Sequence, residues 1–169
     1  NFRIFLAFLL SYTVFLTKSL SEIFQSRFNA EVSLCECNDF GFWGGIPISD
    51  MVAAEIGYAN YGGPTFSDGF DVLSIKTTAL NFGARFQLPI DDTLGAHARI
   101  GIALWELEFG GDFFGSYDDS NIYYGFGGDI KLTESASILL DYHSLSCEVA
   151  GVSGSLDITN LSVGIGFEF

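Results

Sequence analysis

Apolar residues alternate with small or polar ones through most of the chain. The last stretch is the plainest. Leu161, Val163, Ile165, Phe167 and Phe169 fall on one face, and Ile158, Asn160, Ser162, Gly164, Gly166 and Glu168 on the other. A period of two marks a strand, because successive side chains leave a strand on opposite faces. Residues 94–108 repeat the pattern, with Leu94, Ala96, Ala98, Ile100, Ile102 and Leu104 set against His97, Arg99, Gly101 and Ala103. The same reading predicts strands over 40–48, 51–61, 73–88, 121–132 and 135–146. Connections between the seven alternate in length: short at 49–50, 89–93 and 133–134, long at 62–72, 109–119 and 147–156. Strands with one apolar face, short turns at one end and long loops at the other form the pattern of an all-β, transmembrane, antiparallel up-and-down β-barrel. Lipid meets the apolar face and the lumen meets the other; the short turns and the C-terminus then lie in the periplasm.

Single-chain barrels of this kind have an even number of strands, so an eighth is expected before residue 40. The best alternation there is over 27–37, where Phe28, Ala30, Val32 and Leu34 are set against Asn29, Glu31, Ser33 and Cys35. It is the weakest of the eight and would leave 36–39 as a tight first loop. Further upstream, residues 4–16 are a thirteen-residue apolar run between Arg3 and Lys18, with no period of two. Its length suits the core of a secretory signal and is short for a helix crossing about 30 Å of hydrocarbon. The expected division is a signal-peptide-like or disordered segment over 1–26 and a barrel domain over 27–169, with a retained membrane anchor as the alternative for the run.

Charge narrows the function. The chain has 169 residues, a net charge of −14, only 7 Lys and Arg, and yet 49% hydrophobic residues. Nucleic acid is excluded as a partner, because no basic surface is available to displace its counterions. Cys35, Cys37 and Cys147 are an odd number and match no zinc spacing. No metal site and no cofactor are expected.

Several stretches resemble a known family. Ala54-Glu55-Ile56-Gly57-Tyr58 followed by Gly63-Pro64-Thr65-Phe66-Ser67, then Leu80-Asn81-Phe82-Gly83-Ala84, Tyr124-Gly125-Phe126-Gly127-Gly128-Asp129 and the tail from Leu161 to Phe169, in this order, are similar to the outer membrane protein A-like eight-stranded barrels. The resemblance covers roughly residues 40–169. It implies a multi-pass β-barrel in the outer membrane of a Gram-negative bacterium, in contact with lipid and lipopolysaccharide. The tail resembles the signal read by the barrel assembly machinery, with Gly164, Phe167 and Phe169 at its marked positions; Val163 departs from it, since a polar residue is usual there.

Alternation places Glu55, Arg85, Arg99, Asp129, Lys131, Asp141, His143 and Glu168 in the lumen. Eight strands leave an interior that side chains can fill, and charges of both signs in so narrow a space are expected to pair. The resemblance implies the same internal ionic network. The expected role is structural and interactive, with loops reaching a host or surface ligand and weak porin activity through the lumen. The alternative is an outer membrane protein W-like barrel that takes small hydrophobic molecules past Phe113, Phe114 and Tyr117. A lipid A-modifying enzyme would need a hydroxyl within reach of His143, but Ser144 and Ser146 fall on the opposite face, so no enzyme is expected.

Overall fold

The structure, a computed structural model, describes residues 5–15, 39–63, 65–67, 72–111, 115–148 and 155–168. The described residues form nine strands: β1 (Phe5–Phe15), β2 (Asp39–Pro47), β3 (Val52–Gly62), β4 (Thr65–Ser67), β5 (Val72–Pro89), β6 (Leu94–Gly111), β7 (Gly115–Lys131), β8 (Ala136–Glu148) and β9 (Ser155–Glu168). All pairings are antiparallel. β1 lies between β2 and β9, the chain of neighbours runs on from β9 through β8, β7 and β6 to β5, and β3 pairs with both β2 and β5. That is a closed ring of eight strands. The short β4 pairs only with the upper end of β5 and stays outside the ring. Closure is what lipid demands, since hydrocarbon offers no partner to an unpaired strand edge.

Large apolar side chains face outward on each ring strand from β2 onward. Phe42, Ile56, Phe82, Ile102, Tyr124, Leu140 and Val163, one from each of β2, β3 and β5–β9, are all exposed. An apolar belt of this kind belongs against lipid. The three short turns close alike, with Ile48, Ile90 and Leu132 N–H groups donating to Val52, Leu94 and Ala136 carbonyls at 2.8–2.9 Å. In the middle turn, Thr93 and Leu94 N–H groups donate to the Asp91 carboxylate at 2.7 Å each. These bonds hold the Asp91 carboxyl below its usual range, so their contribution is present above that range and lost as pH falls through the lowered value. Glu168 N–H donates to Ser135 O at 3.0 Å, which puts the end of β9 beside the third turn.

From residue 39 onward every expected strand is present. β6 and β7 run longer than expected, to 111 and from 115. There the outward face carries no apolar residues, while Phe109 and Tyr117 on the inward face pack against buried side chains, so alternation fades while backbone pairing continues. The N-terminal segment differs from expectation. The apolar run assigned to a leader contributes β1, in register from Phe5↔Glu168 to Phe15↔Ile158 with β9 and from Phe5↔Gly45 to Ser11↔Asp39 with β2. β1 thus lies on the leader side of the expected boundary at 26/27, and the strand expected over 27–37 lies outside the described residues. The physical reason is that pairing is a property of the backbone. Alternation reports only a difference between two faces, and a run apolar throughout conceals its capacity to pair.

The register is testable. In a background with the native cysteines replaced by serine, Ser11→Cys with Ser162→Cys should cross-link on mild oxidation of the folded barrel. Absence of the cross-link, with one formed instead between a cysteine placed in 27–37 and β9, would give the place beside β9 to that segment.

Candidate functional site: the filled lumen

Inward-facing side chains divide the lumen into a charged half toward the short turns and an apolar half toward the long loops. In the charged half Arg99, from β6, is the hub. Its Nε lies 3.2 Å from Glu55 Oε2, and its Nη1 lies 3.1 Å from both Asp141 Oδ1 and His143 Nε2. Arg85, from β5, lies 3.8 Å from Glu55 Oε1 and 3.7 Å from Asp129 Oδ1. Glu55, Arg85, Arg99 and Asp141 are each at most 5% exposed, so solvent does not screen these pairs.

His97 ties the two arginines together. Arg85 Nη2 donates to its Nδ1 at 3.2 Å, and its Nε2 donates to Asp141 Oδ1 at 2.6 Å. Its Nδ1 also lies 3.6 Å from Asp129 Oδ1, so the ring sits between a guanidinium and a carboxylate on one side and a second carboxylate on the other. His143 likewise accepts from Arg99 through Nε2. Each imidazole thus has one nitrogen in contact with a guanidinium. Ser144 and Ser146 lie on the opposite face of β8.

Aromatic rings cap this layer. Arg99 Cζ lies 4.9 Å from the centre of the Trp43 ring, a cation–π contact. His143 stacks on Tyr123 at 5.8 Å and 7° and meets Trp43 at 4.9 Å. Trp43 lies flat on Gly57, where a Cβ would enter its ring, and Tyr123 covers Gly83 and Gly101 in the same way. Gly57→Val should therefore push Trp43 off Arg99 and lower stability by about 1–3 kcal/mol, the usual cost of overpacking. An unchanged urea midpoint for the refolded variant would show that the ring can move away freely.

Above the rings the lumen is mainly apolar, with the Thr77 and Asn81 side chains of β5 buried among the apolar ones. Ile75, Ala79, Ala103, Trp105, Leu107, Leu145, Cys147 and Ile158 are buried in one cluster, with Leu73, Phe109 and Tyr117 packed against it. Trp105 Nε1 donates to Asn121 Oδ1 at 2.8 Å, and its ring lies 5.7 Å from that of Tyr117. Below the charged layer a cavity of about 230 Å³ opens at the turn end, lined among others by Arg85, Asp129, Lys131, Glu134 and Glu168.

Of the residues expected in the lumen network, Glu55, Arg85, Arg99, Asp141 and His143 are brought together in its buried centre. Asp129 joins them from the mouth, where its side chain keeps 14% of its exposure. Lys131 and Glu168 line the mouth cavity instead, because they end their strands beside the turns; Lys131 is exposed. Gly164 faces the lumen and Phe167 faces outward; Phe169, with Phe113 and Phe114, lies outside the described residues. His97 was expected on the inward face, two residues from Arg99, but was left out of the expected network. Trp43 and Tyr123 were also passed over, although the same alternation gave their inward positions.

Comparison with known proteins agrees with this geometry. The sequence profile of the outer membrane protein beta-barrel domain matches residues 21–169; β1 precedes the matched part. No curated protein matches the chain. Among solved structures, the attachment invasion locus protein Ail of Yersinia pestis is similar at 10% identity and a TM-score of 0.60, over 99% of this chain and 97% of that one. Ail is also known in complex with the heparin analogue sucrose octasulfate, similar at 12% identity and a TM-score of 0.59, over 100% and 99% of the two chains. The N-terminal beta-barrel domain of Pseudomonas aeruginosa OprF is similar at 15% identity and a TM-score of 0.61, over 99% and 97%. At these identities the likeness is one of fold.

Proposed function

The chain belongs to the outer membrane protein beta-barrel domain family, and from that premise we propose that it is a closed surface barrel acting through its extracellular end rather than through its lumen. Its place is the bacterial outer membrane. The observation that supports the reading is the filled interior: an apolar cluster above, a ring layer at Trp43 and Tyr123, and a paired ionic layer below. A hydrated pore needs a continuous polar path, and the upper cluster interrupts one. Weak porin activity is then an occasional event, requiring the ionic layer to open. A hydrophobic passenger finds the same apolar space occupied by Trp105 and its neighbours, and catalysis finds both imidazoles engaged. The lumen charges act as positioning groups that hold the barrel shut, and the C-terminal Gly164, Phe167 and Phe169 as the segment read by the assembly machinery.

Partners are reached from outside. Residues 62–72, 109–119 and 147–156 carry Asp68, Asp71, Asp112, Asp118, Asp119 and Glu148. With a net charge of −14, this surface is a poor match for a sulfated sugar such as the one seen with Ail; a cationic partner, or divalent cations bridging to lipopolysaccharide phosphate, fits it better. The test has two arms. The purified barrel in planar bilayers should show no steady conductance, and epitope tags in the three loops should be labelled on intact cells. A steady open channel, or tags reached only after permeabilisation, would defeat the reading.

A further inference from the structure

We propose that His97 is a proton-operated latch, which exchanges Arg85 for Asp129 as its partner and so couples the buried ionic layer to the mouth at the short turns. The inference goes beyond the surface-barrel reading, which uses the layer only as a closure. It starts from a count of charge. Glu55, Asp129 and Asp141 face Arg85 and Arg99. Three carboxylates against two guanidiniums leave one negative charge over, and an excess charge away from water is costly. Lys131 stands beside Asp129 at the mouth but is exposed, so water screens it. The buried imidazole of His97 touches two of the three carboxylates, with Nε2 2.6 Å from Asp141 Oδ1 and Nδ1 3.6 Å from Asp129 Oδ1. One proton added to this ring brings the layer to neutrality.

Each state of the ring has a partner in place. Uncharged, with its proton on Nε2, the ring donates to Asp141 and offers a bare Nδ1 to Arg85 Nη2 at 3.2 Å. Charged, it carries a proton on both nitrogens, and a guanidinium has only donors to set against the second. Nδ1 then turns from Arg85 to Asp129 Oδ1. That oxygen is the one lying 3.7 Å from Arg85 Nη2, so the new bond draws on the carboxylate that the arginine shares. Arg85 keeps Glu55 Oε1 at 3.8 Å and borders the cavity of about 230 Å³ at the turn end, which gives its guanidinium polar space to move into. The ring itself need not move, because it lies against Gly127 of β7, where a side chain would overlap it.

The groups around the ring come from every element that faces it: Glu55 from β3, Arg85 from β5, Arg99 from its own strand, Asp129 and Lys131 from β7, Asp141 and His143 from β8, and Glu168 of β9 at the mouth. His143 is placed differently. Its Nε2 meets Arg99, and its ring packs on Trp43 and Tyr123, so a proton there faces a cation. Histidine is the side chain that changes charge between about pH 5 and pH 8, which makes His97 the group in this layer able to answer a change in the periplasm.

The chain has two histidines, so the folded full chain in lipid nanodiscs, with histidine and arginine labelled with nitrogen-15, provides the test by magnetic resonance. Between about pH 8 and about pH 5 both ring nitrogens of His97 should move to the imidazolium position, and the Arg85 side-chain signals should move in the same titration. His97→Gln should abolish the Arg85 response. In Asp129→Ala the charged ring loses its second acceptor and should need about tenfold more protons to form. Heat-modifiable migration verifies that each variant is folded; if either variant does not fold, the titration of the parent protein still decides. A His97 ring that keeps one state throughout, or that titrates while Arg85 stays still, overturns the latch. So does a folded Asp129→Ala that titrates as its parent does. Each of these results leaves the surface-barrel reading intact.

Discussion

Arg99→Ala is expected to destabilise the barrel by about 3–5 kcal/mol, the cost of removing one partner from a buried ionic group, and to open the lumen to ions. The arginine is 2% exposed and touches Glu55, Asp141, His143 and the face of Trp43 at once. Truncation leaves two buried carboxylates with Arg85 as their remaining guanidinium, and frees Trp43 from the cation that it covers. Water is the natural substitute. It would find further polar atoms to step onto, since the Tyr123 hydroxyl, the Asn81 amide and the Thr77 hydroxyl are buried without hydrogen-bond partners among the described residues. Urea unfolding followed by heat-modifiable migration reads the stability, and planar bilayers read the conductance. Arg99→Lys should fall between, because an ammonium keeps the charge but loses the fork that reaches Glu55 and Asp141 together. Wild-type stability with unchanged conductance in Arg99→Ala would remove the ionic layer from any part in closing the barrel.

Ile102→Arg is expected to cost about 2–4 kcal/mol, the penalty for a cation at the lipid midplane of a barrel. Ile102 lies mid-strand on β6 with 53% of its surface exposed, and its register partners are Phe82 and Ile122, both apolar and both outward. No carboxylate stands near enough on that face to pair with the new charge. The neighbouring position behaves oppositely: Gly101 packs against Gly83 beneath the Tyr123 ring, so an arginine there fails by overlap rather than by desolvation. A spin label at 102 should be relaxed by oxygen, whose concentration is high in lipid. Relaxation by a water-soluble agent instead would show that the faces of β6 are exchanged.

The seven strands from β2 onward, apart from the short β4, were legible because lipid on one side and a crowded lumen on the other impose period two. Arg99 between Ala98 and Ile100, or Asp141 between Leu140 and Tyr142, can only be inward. β1 was not legible by that rule, because residues 4–16 are apolar without alternation. The upper parts of β6 and β7 escaped because their outward face turns polar there, although Phe109 and Tyr117 still pack inward against the buried cluster.

By itself, then, the sequence determined the barrel, the orientation of its faces and the set of charges that enters the lumen, since each follows from side-chain periodicity along one strand. Only the tertiary structure decided which charges meet. Whether Arg99 reaches Asp141 from β8 or Lys131 stays at the rim depends on shear between strands distant in sequence, and no local pattern carries that offset. The same holds for His97, whose role as the link between two arginines arises only where β5, β6 and β8 converge.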